Sequence, residues 1–281
     1  MRLNFALIVG RGESIPPNSL ARIFCRLWEG QGHKITLTPC IPVECDIALL
    51  HIDATRVNPD VLAGFNPAIP IWNRHALDIS KRRVSHNLIE RDDAYEGAVV
   101  VKTDDNAFGA RQFPMTPEHL AILRHRRNVT LETWKNERVL PLDSYPVLDS
   151  PRDVPDWVWA NRELVVEKFT PEMEDGLYVL RLWIFLGTRE VVLKLYGRQP
   201  IVKSGDLVRF EYIDEVPDEL RAERKRLGID FGKFDFVISN GKPILLDANK
   251  TPTGGKDGTI PPYARTLSEA LFDVFPEGRN P

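Results

Sequence analysis

The sequence predicts a chain of the α/β and α+β classes: a small doubly wound domain at the N-terminus, followed by subdomains built on antiparallel strands. Three observations predict it. A continuous apolar run at residues 5–9 ends at Gly10 and is followed by a helical pattern and further short strands, the β-α-β alternation of a parallel sheet. A β-branched run closed by a lysine occupies residues 98–102, and a second strand-like run ends in Glu167-Lys168. Two pairs of apolar runs are joined by tight turns at Gly187-Thr188 and Asn240-Gly241, the strongest short-range hairpin signal a sequence carries.

The bulk properties narrow the classes. With 281 residues, 43% hydrophobic and 27% charged, the chain buries a substantial core as one large or two modest domains. A net charge of -3 argues against a general nucleic-acid binder and leaves room for a local basic patch around a phosphate. Cys25, Cys40 and Cys45 are odd in number and lack a C-x-x-C pair, so free thiols in a reducing compartment are expected rather than disulfides or zinc. The run at 5–9 is too short for a membrane span or a signal-peptide core. The expectation is a cytoplasmic protein with neither a nucleic-acid nor a membrane partner.

The N-terminal elements follow from spacing. Asn18 or Ser19 caps a helix in which Leu20, Ile23, Phe24 and Leu27 recur at helical intervals, ending near residues 30–32. Strands are expected at 34–38, 46–51 and 69–72, with a helix from about Pro59. Gly10-Arg11-Gly12-Glu13 lacks the third glycine of a dinucleotide fingerprint, position 15 being Ile15, so it reads as a polar loop at the carboxyl end of a sheet, where substrate contacts are made.

Residues 73–90 combine Asn73, Arg74, Ser80, Lys81 and Arg82 with partial helical apolar spacing and read as a solvated basic helix. Lys102 closes its strand just before the polar loop 103–111, which reads either as a place where a lysine and loop N–H groups can converge on a phosphate or as a hairpin loop with an exposed lysine. Residues 117–127 read as a basic amphipathic helix and 141–155 as a proline-rich irregular excursion. Arg181 and Lys194 stand among the apolar positions of the first hairpin, which residues 201–206 continue. A charged helix at 215–227 and an amphipathic helix at 266–275 complete the reading.

The chain is organised around residues 228–258. Asp247 and Asn249 lie two apart on one strand and point the same way, and Asp235 joins them from across the hairpin. Two carboxylates and a carboxamide, with no sulfur or imidazole among them, suit Mg2+. Lys233 shares the face of Asp235.

This ordered set resembles the ATP-grasp superfamily over about residues 1–275, most specifically in FDFV…LLDANKTP. The resemblance implies an ATP-grasp fold of two α+β subdomains, 76–165 and 166–281, behind a small α/β domain at 1–75, with ATP between the subdomains. It implies that Lys102 reaches the α-phosphate and adenine and that Lys81, similar to an earlier lysine of the family, also binds the nucleotide. The loop from Asn106 through Gly109 to Ala110 is then the lid. Glu167, Lys168 and Phe169 look like the adenine hinge, and Glu174 like the ribose-binding carboxylate. Lys194 or Lys203 supplies a cation to the γ-phosphate, Lys203 being preferred because it ends its segment beside Ser204-Gly205. Asp235, Asp247 and Asn249 look like metal ligands, and Lys233 takes the place of an arginine that binds the developing oxyanion. Lys203, Lys233 and Arg181 are thus the implied catalytic cations. Asp247 departs from the usual glutamate, which shortens its reach, and the lid is poor in glycine.

The function so implied is an ATP- and Mg2+-dependent ligase that joins a small-molecule or peptide carboxylate to an amine through an acylphosphate. Thr253, Gly254, Gly255 and Lys256 would line the acceptor pocket. A small-molecule kinase using the same ATP site, and a nucleotide-binding protein without turnover, are the alternatives. The oligomeric state is left open.

Overall fold

The computed structural model describes residues 2–42, 44–109, 116–254 and 259–275, which form three sheets. The first is parallel, in the order β2-β1-β3-β4, with β1 (Asn4–Ile8), helix α1 (Leu20–Gly30), β2 (Lys34–Thr38), β3 (Ile47–Leu50) and β4 (Ile71–Trp72). Because β1 is covered on both sides, every second residue serves a different core. Phe5 and Leu7 pack under the apolar stripe Leu20, Ile23, Phe24 and Trp28 of α1, while Ala6 and Ile8 face Val57 and Ile71. The Phe5 and Trp28 rings lie 4.6 Å apart. On the second face the expected helix from Pro59 is a single 3-10 turn, Pro59–Leu62, whose apolar supply ends at Ala63-Gly64.

The second sheet is antiparallel, in the order β6-β5-β7. Only one turn of the expected basic helix forms, α2 (Lys81–Val84), and it delivers Lys81 inward. β5 (Val99–Thr103) follows as predicted, then α3 (Pro117–Arg126), α4 (Trp134–Glu137), β6 (Val147–Leu148), α5 (Asp156–Ala160) and β7 (Leu164–Lys168). Val99, Val101, Leu164 and Val166 close a core with Trp134 and Val158.

The third sheet carries β8 (Glu172–Glu174), β9 (Leu177–Leu186), β10 (Arg189–Gly197), β11 (Leu207–Ile213), β12 (Phe231–Ser239) and β13 (Lys242–Asn249). Its order is β11-β10-β9-β12-β13, with β8 paired to β9, and all pairs are antiparallel. Both predicted hairpins form, and Asn240 (φ 51°) and Gly241 (φ 75°) make the second turn left-handed at both positions. Residues 201–206 do not extend the first hairpin: the chain leaves in a loop, makes the turn Ser204–Asp206 and returns as β11. Helix α6 (Asp218–Leu227) precedes β12, and the expected helix at 266–275 is two short ones, α7 (Pro262–Ser268) and α8 (Ala270–Val274).

The two faces of this sheet bury different partners. Leu182, Ile184, Leu193 and Phe231 meet α1, α7 and α8, whereas Trp183, Phe185, Phe234 and Phe236 lie with Leu220 and Leu227 of α6 and with Ile79 and Val84. Those that are fully buried, such as Trp183, Phe185, Phe231 and Phe234, contribute about 1.5–3 kcal/mol each. The chain's last helices therefore pack onto its first, and the Trp28 indole N–H donates to the Ser268 carbonyl at 2.9 Å. Among the described residues no helix is long and apolar enough to cross a membrane.

Candidate functional site

Asp235 and Asp247 stand directly opposite each other on β12 and β13, with Lys233 opposite Asn249. A β-bulge next to Asp235 makes this possible. Phe236 pairs with Leu245, so Leu246 is the extra residue that carries Asp247 onto the face of Asp235. Without it Asp247 would point into the core beside Phe234. Lys233 Nζ lies 2.9 Å from Asp235 Oδ1 and donates to Oδ2 at 3.1 Å. Burial raises the Asp235 carboxyl above the ordinary aspartate value, with Asp247 adding to the rise and Lys233 opposing it. Burial lowers the Lys233 ammonium, and Asp235 more than offsets that, so it ends above the usual lysine value. Asp235 Oδ1 has no hydrogen bond of acceptable geometry despite its ion-pair distance.

Lys81 meets this pair from α2. Its Nζ lies 2.5 Å from Asp247 Oδ1 and 2.5 Å from Asn106 Oδ1, and the side chain is almost wholly buried. Asn106 in turn donates from Nδ2 to the Ala248 carbonyl at 2.7 Å, and its backbone N–H reaches Thr55 Oγ1 at 2.9 Å. The start of the lid loop is thus docked on β13. Ala107, Phe108 and Gly109 continue it with positive φ. Arg126, buried on α3, donates to the carbonyls of Phe108, Leu140 and Pro141. Ala110 and Arg111, at the expected lid, lie outside the described residues.

Lys102 and Glu167 form an ion pair at 2.6 Å across β5 and β7. Glu167 is 1% exposed, and its Oε1 has no partner. The segment that follows, expected as the adenine hinge, is anchored through its amides, Lys168 N–H to Asn87 O and Phe169 N–H to Ala98 O, both 2.8 Å. A cavity of about 180 Å3 joins these groups, with Lys81, Lys102, Glu167, Asp235 and Asp247 on its polar side. Phe169 and Lys168 line its hinge end, and Val100, Leu180, Val202 and Leu246 are apolar walls. A flat apolar slot with carboxylates and ammonium groups at one end suits a nucleotide.

Tyr145 completes the wall and carries no signal in the sequence, since it sits in the proline-rich excursion. It lines the cavity, half-buried, and stacks on Phe108 at 4.3 Å, and desolvation pushes its hydroxyl up to about 12. Lys203 lies at the same end, its ammonium 5.8 Å from the Phe108 ring centroid and in contact with the Asp143 carbonyl.

Arg181, Lys194 and Glu174, all expected at the ATP site, lie on the face of the sheet away from Asp235. Lys194 is opposite Arg181 and Arg181 is opposite Phe236, so all three share the face of Phe236, not that of Asp235. There Lys194 pairs with Glu174 at 2.5 Å and Arg181 with Glu172 at 2.6 Å. Strand alternation placed them once the register was known, and the sequence alone does not give that register.

A second cavity lies beside Asn249, two residues along β13 from Asp247, lined by Glu13, Ser19, His51, Asp53, Thr251 and Thr253 as well as Ala107. The loop after β1 provides Glu13, whose two oxygens accept from the N–H groups of Gly10 (2.7 Å) and Asp53 (2.9 Å). Thr251 Oγ1 donates to Asp53 at 2.9 Å. His51 is fully enclosed; burial, with Lys250 assisting, lowers it to about 3, so the ring is neutral. Its Nδ1 has no partner and its Nε2 lies 3.4 Å from Ser19 Oγ. Of the other residues expected at an acceptor pocket, Gly254 packs on Leu20 and donates to the Asn18 carbonyl, while Gly255 and Lys256 lie outside the described residues.

The donor set accords with Mg2+. Among the described residues no three His, Cys, Asp or Glu gather as a softer or all-carboxylate site. Two opposed carboxylates, one of them buried with an oxygen lacking a hydrogen bond, are hard-oxygen donors of the type that suits Mg2+.

No protein-family model and no curated protein matches the sequence. Solved structures do match. The chain is similar to a RiPP-associated ATP-grasp ligase from Chryseobacterium gregarium in complex with ADP and a leader and core peptide, at 9% identity and TM-score 0.53, covering 98% of each chain. It is also similar to the macrocyclase MdnC from Microcystis aeruginosa MRC bound with the precursor peptide MdnA, at 12% identity and TM-score 0.51, covering 96% of this chain and 99% of that one. At these identities the likeness is one of fold.

Proposed function

We propose, from the premise that this chain has the ATP-grasp fold, that it is an ATP-dependent ligase joining a carboxylate to an amine. The observation that carries the reading is the cavity in which Asp235 and Asp247, opposed across β12 and β13, face Lys81 and the Lys102–Glu167 pair. The adenine lies against Phe169 and the apolar wall of Val100, Leu180 and Leu246. The triphosphate runs toward Asp235 and Asp247, with Lys81 and Lys102 as its cations and Lys203 at the lid end.

Asp235, Asp247 and Asn249 would hold Mg2+, which when bound would supply charge neutralisation at the transferring phosphoryl group. A substrate carboxylate attacks the γ-phosphorus, the bond to the β-phosphate oxygen breaks, and ADP leaves. The amine then attacks the acyl carbon, the C–O bond to phosphate breaks, and the amine's lost proton goes to solvent or a neighbouring base. Positioning and electrostatics carry such chemistry, so the protein provides no covalent nucleophile. Lys233 lies next to Asp235 on the reacting face, where it stabilises negative charge on the acyl oxygen.

The second cavity, bounded by Asn249 and Thr251, is the place for the amine. Glu13 and Asp53 favour an incoming ammonium, and the neutral His51 adds an uncharged acceptor beside them. The neighbours' peptide-bound states make a peptide as reasonable a carboxylate donor as a free small molecule.

Purified protein incubated with ATP, Mg2+ and pooled amino acids and short peptides tests the reading. ADP release that needs both a carboxylate and an amine supports it, and mass spectrometry then identifies the amide. ADP accompanied by a phosphorylated alcohol, or no binding of an ATP analogue, would sink it. Asp235→Asn should keep the fold and remove the Mg2+-dependent part of ATP binding.

A further inference from the structure

The edge strand β11 is built like a surface awaiting another strand. Among the described residues it pairs only with β10, and six of its seven residues are exposed, including Val208 (42%), Phe210 (53%) and Tyr212 (51%). Proteins normally blunt such an edge with charge, proline or a covering element, because its free N–H and C=O groups template pairing. Here Phe210 and Tyr212, whose rings meet edge to face at 6.0 Å, stand on one face, opposite Leu195 and Leu193 of β10. Arg209 and Glu211 stand on the other, opposite Tyr196 and Lys194.

We propose that β11 pairs antiparallel with β11 of a second copy about a two-fold axis through Phe210, joining the two sheets edge to edge. The strand's own charges select that register. With the axis at Phe210, Arg209 of each copy faces Glu211 of the other, giving two opposite-charge pairs. An axis at Glu211 would set Glu211 against itself, and one at Arg209 would set Arg209 against itself; like charges directly opposite are destabilising. Phe210 meets its own equivalent at the centre, the self-complementarity an isologous interface requires. The bulge between Tyr196 and Gly197 leaves Val208 without a partner on β10, so the regular ladder runs over Arg209–Ile213, and the proposed axis lies within it.

The side chains already carry local contacts that orient them. The Arg209 guanidinium lies 3.7 Å from the Tyr196 ring centroid, and the Tyr196 hydroxyl donates to Glu211 at 2.6 Å. Both charged groups are thus held on the same face before association, which reduces the ordering cost of a cross-strand pair.

Sedimentation equilibrium of the full chain from about 1 to 200 μM tests this, a range in which a small strand-paired interface of roughly micromolar affinity is half formed. The wild type should dimerise. Arg209→Glu should weaken the dimer about tenfold or more by placing like charges opposite, and the double change Arg209→Glu with Glu211→Arg should return it to within about threefold. Phe210→Lys, which sets two ammonium groups together at the axis, should leave a monomer with an unchanged circular-dichroism spectrum. A wild type that stays monomeric throughout overturns the proposal, as does a dimer indifferent to Phe210→Lys. So does a double charge swap that dimerises no better than Arg209→Glu.

Discussion

Lys81 and Asp247 form a contact of 2.5 Å between the single helix turn α2 and the end of β13, although 166 residues separate them. The two partners are not equally buried: the Lys81 side chain is 4% exposed and that of Asp247 33%. Asp247→Ala therefore leaves an ammonium in the interior with Asn106 as its remaining polar partner, whereas Lys81→Met leaves a carboxylate that water reaches. Breaking a fully buried pair costs about 3–5 kcal/mol; with one member partly solvated the expected loss is about 2–4 kcal/mol for Asp247→Ala and about half that for Lys81→Met. The double variant should be less destabilised than the sum, by at least about 1 kcal/mol, in urea denaturation. Additive losses would show that the pair is not coupled.

The Lys102–Glu167 pair gives a second prediction, with the asymmetry reversed. Glu167 is the more deeply buried member, and one of its oxygens already lacks a partner. Lys102→Met should cost about 3–5 kcal/mol, since it strands that carboxylate, and should weaken binding of an ATP analogue. Adding Glu167→Gln to Lys102→Met removes the stranded charge and should restore much of the stability without restoring nucleotide affinity. Recovery of both together would mean that Lys102 acts only as a structural counterion.

The parts of the fold that were legible in the sequence are those in which one local rule dominates. Continuous apolar runs gave β1 and β5, helical spacing gave α1, and Asn240-Gly241 gave the hairpin that holds Asp235 and Asp247. What was not legible depends on register or on distant packing. The one-residue bulge at Leu246, which puts Asp247 on the right face, leaves no mark in composition. Lys81 looked like part of a solvated basic helix because its partners, Asn106 and Asp247, are remote in sequence. Lys194 and Arg181 looked like inward cations and are inward, yet on the face away from Asp235. Tyr145 lies in a segment whose shape is set by what it packs against, and β11 was missed because its exposed alternation of charge and aromatic residues lacks a buried face.

His51 provides a pH prediction. Its folded-state pKa of about 3 lies below the ordinary 6.5, so the unfolded chain binds a proton in that interval and the folded chain does not. The neutral ring's contribution is therefore complete above about pH 6.5 and is lost as pH falls toward 3, at up to about 1.4 kcal/mol per pH unit. His51→Gln removes this group. Thermal melts of the two proteins should run parallel above pH 7 and converge as pH falls from 6.5 to 4, the wild type losing stability faster. Curves that stay parallel through that range would show that His51 is not held neutral.

Asn73 supports the last prediction, one of stability without chemistry. It is fully buried at the end of β4 with φ 62°, a left-handed conformation that asparagine tolerates and most residues do not. Its side-chain oxygen accepts from the N–H groups of Asp230 (2.8 Å) and Phe231 (2.9 Å), and its Nδ2 donates to the Phe231 carbonyl at 2.8 Å. Its own N–H reaches Asp230 Oδ2 at 2.7 Å. These bonds fasten the parallel sheet to Asp230 and to Phe231, the first residue of β12, five and four residues before Asp235, and so set where that strand begins. Asn73→Ala leaves three buried polar groups unpaired and adds strain at positive φ, for an expected loss above about 3 kcal/mol. Asn73→Gly removes the strain and keeps the orphaned groups, so it should recover about 1 kcal/mol of that. Chemical denaturation of the three proteins decides it: a glycine variant no more stable than the alanine one would mean that the left-handed backbone carries no cost there.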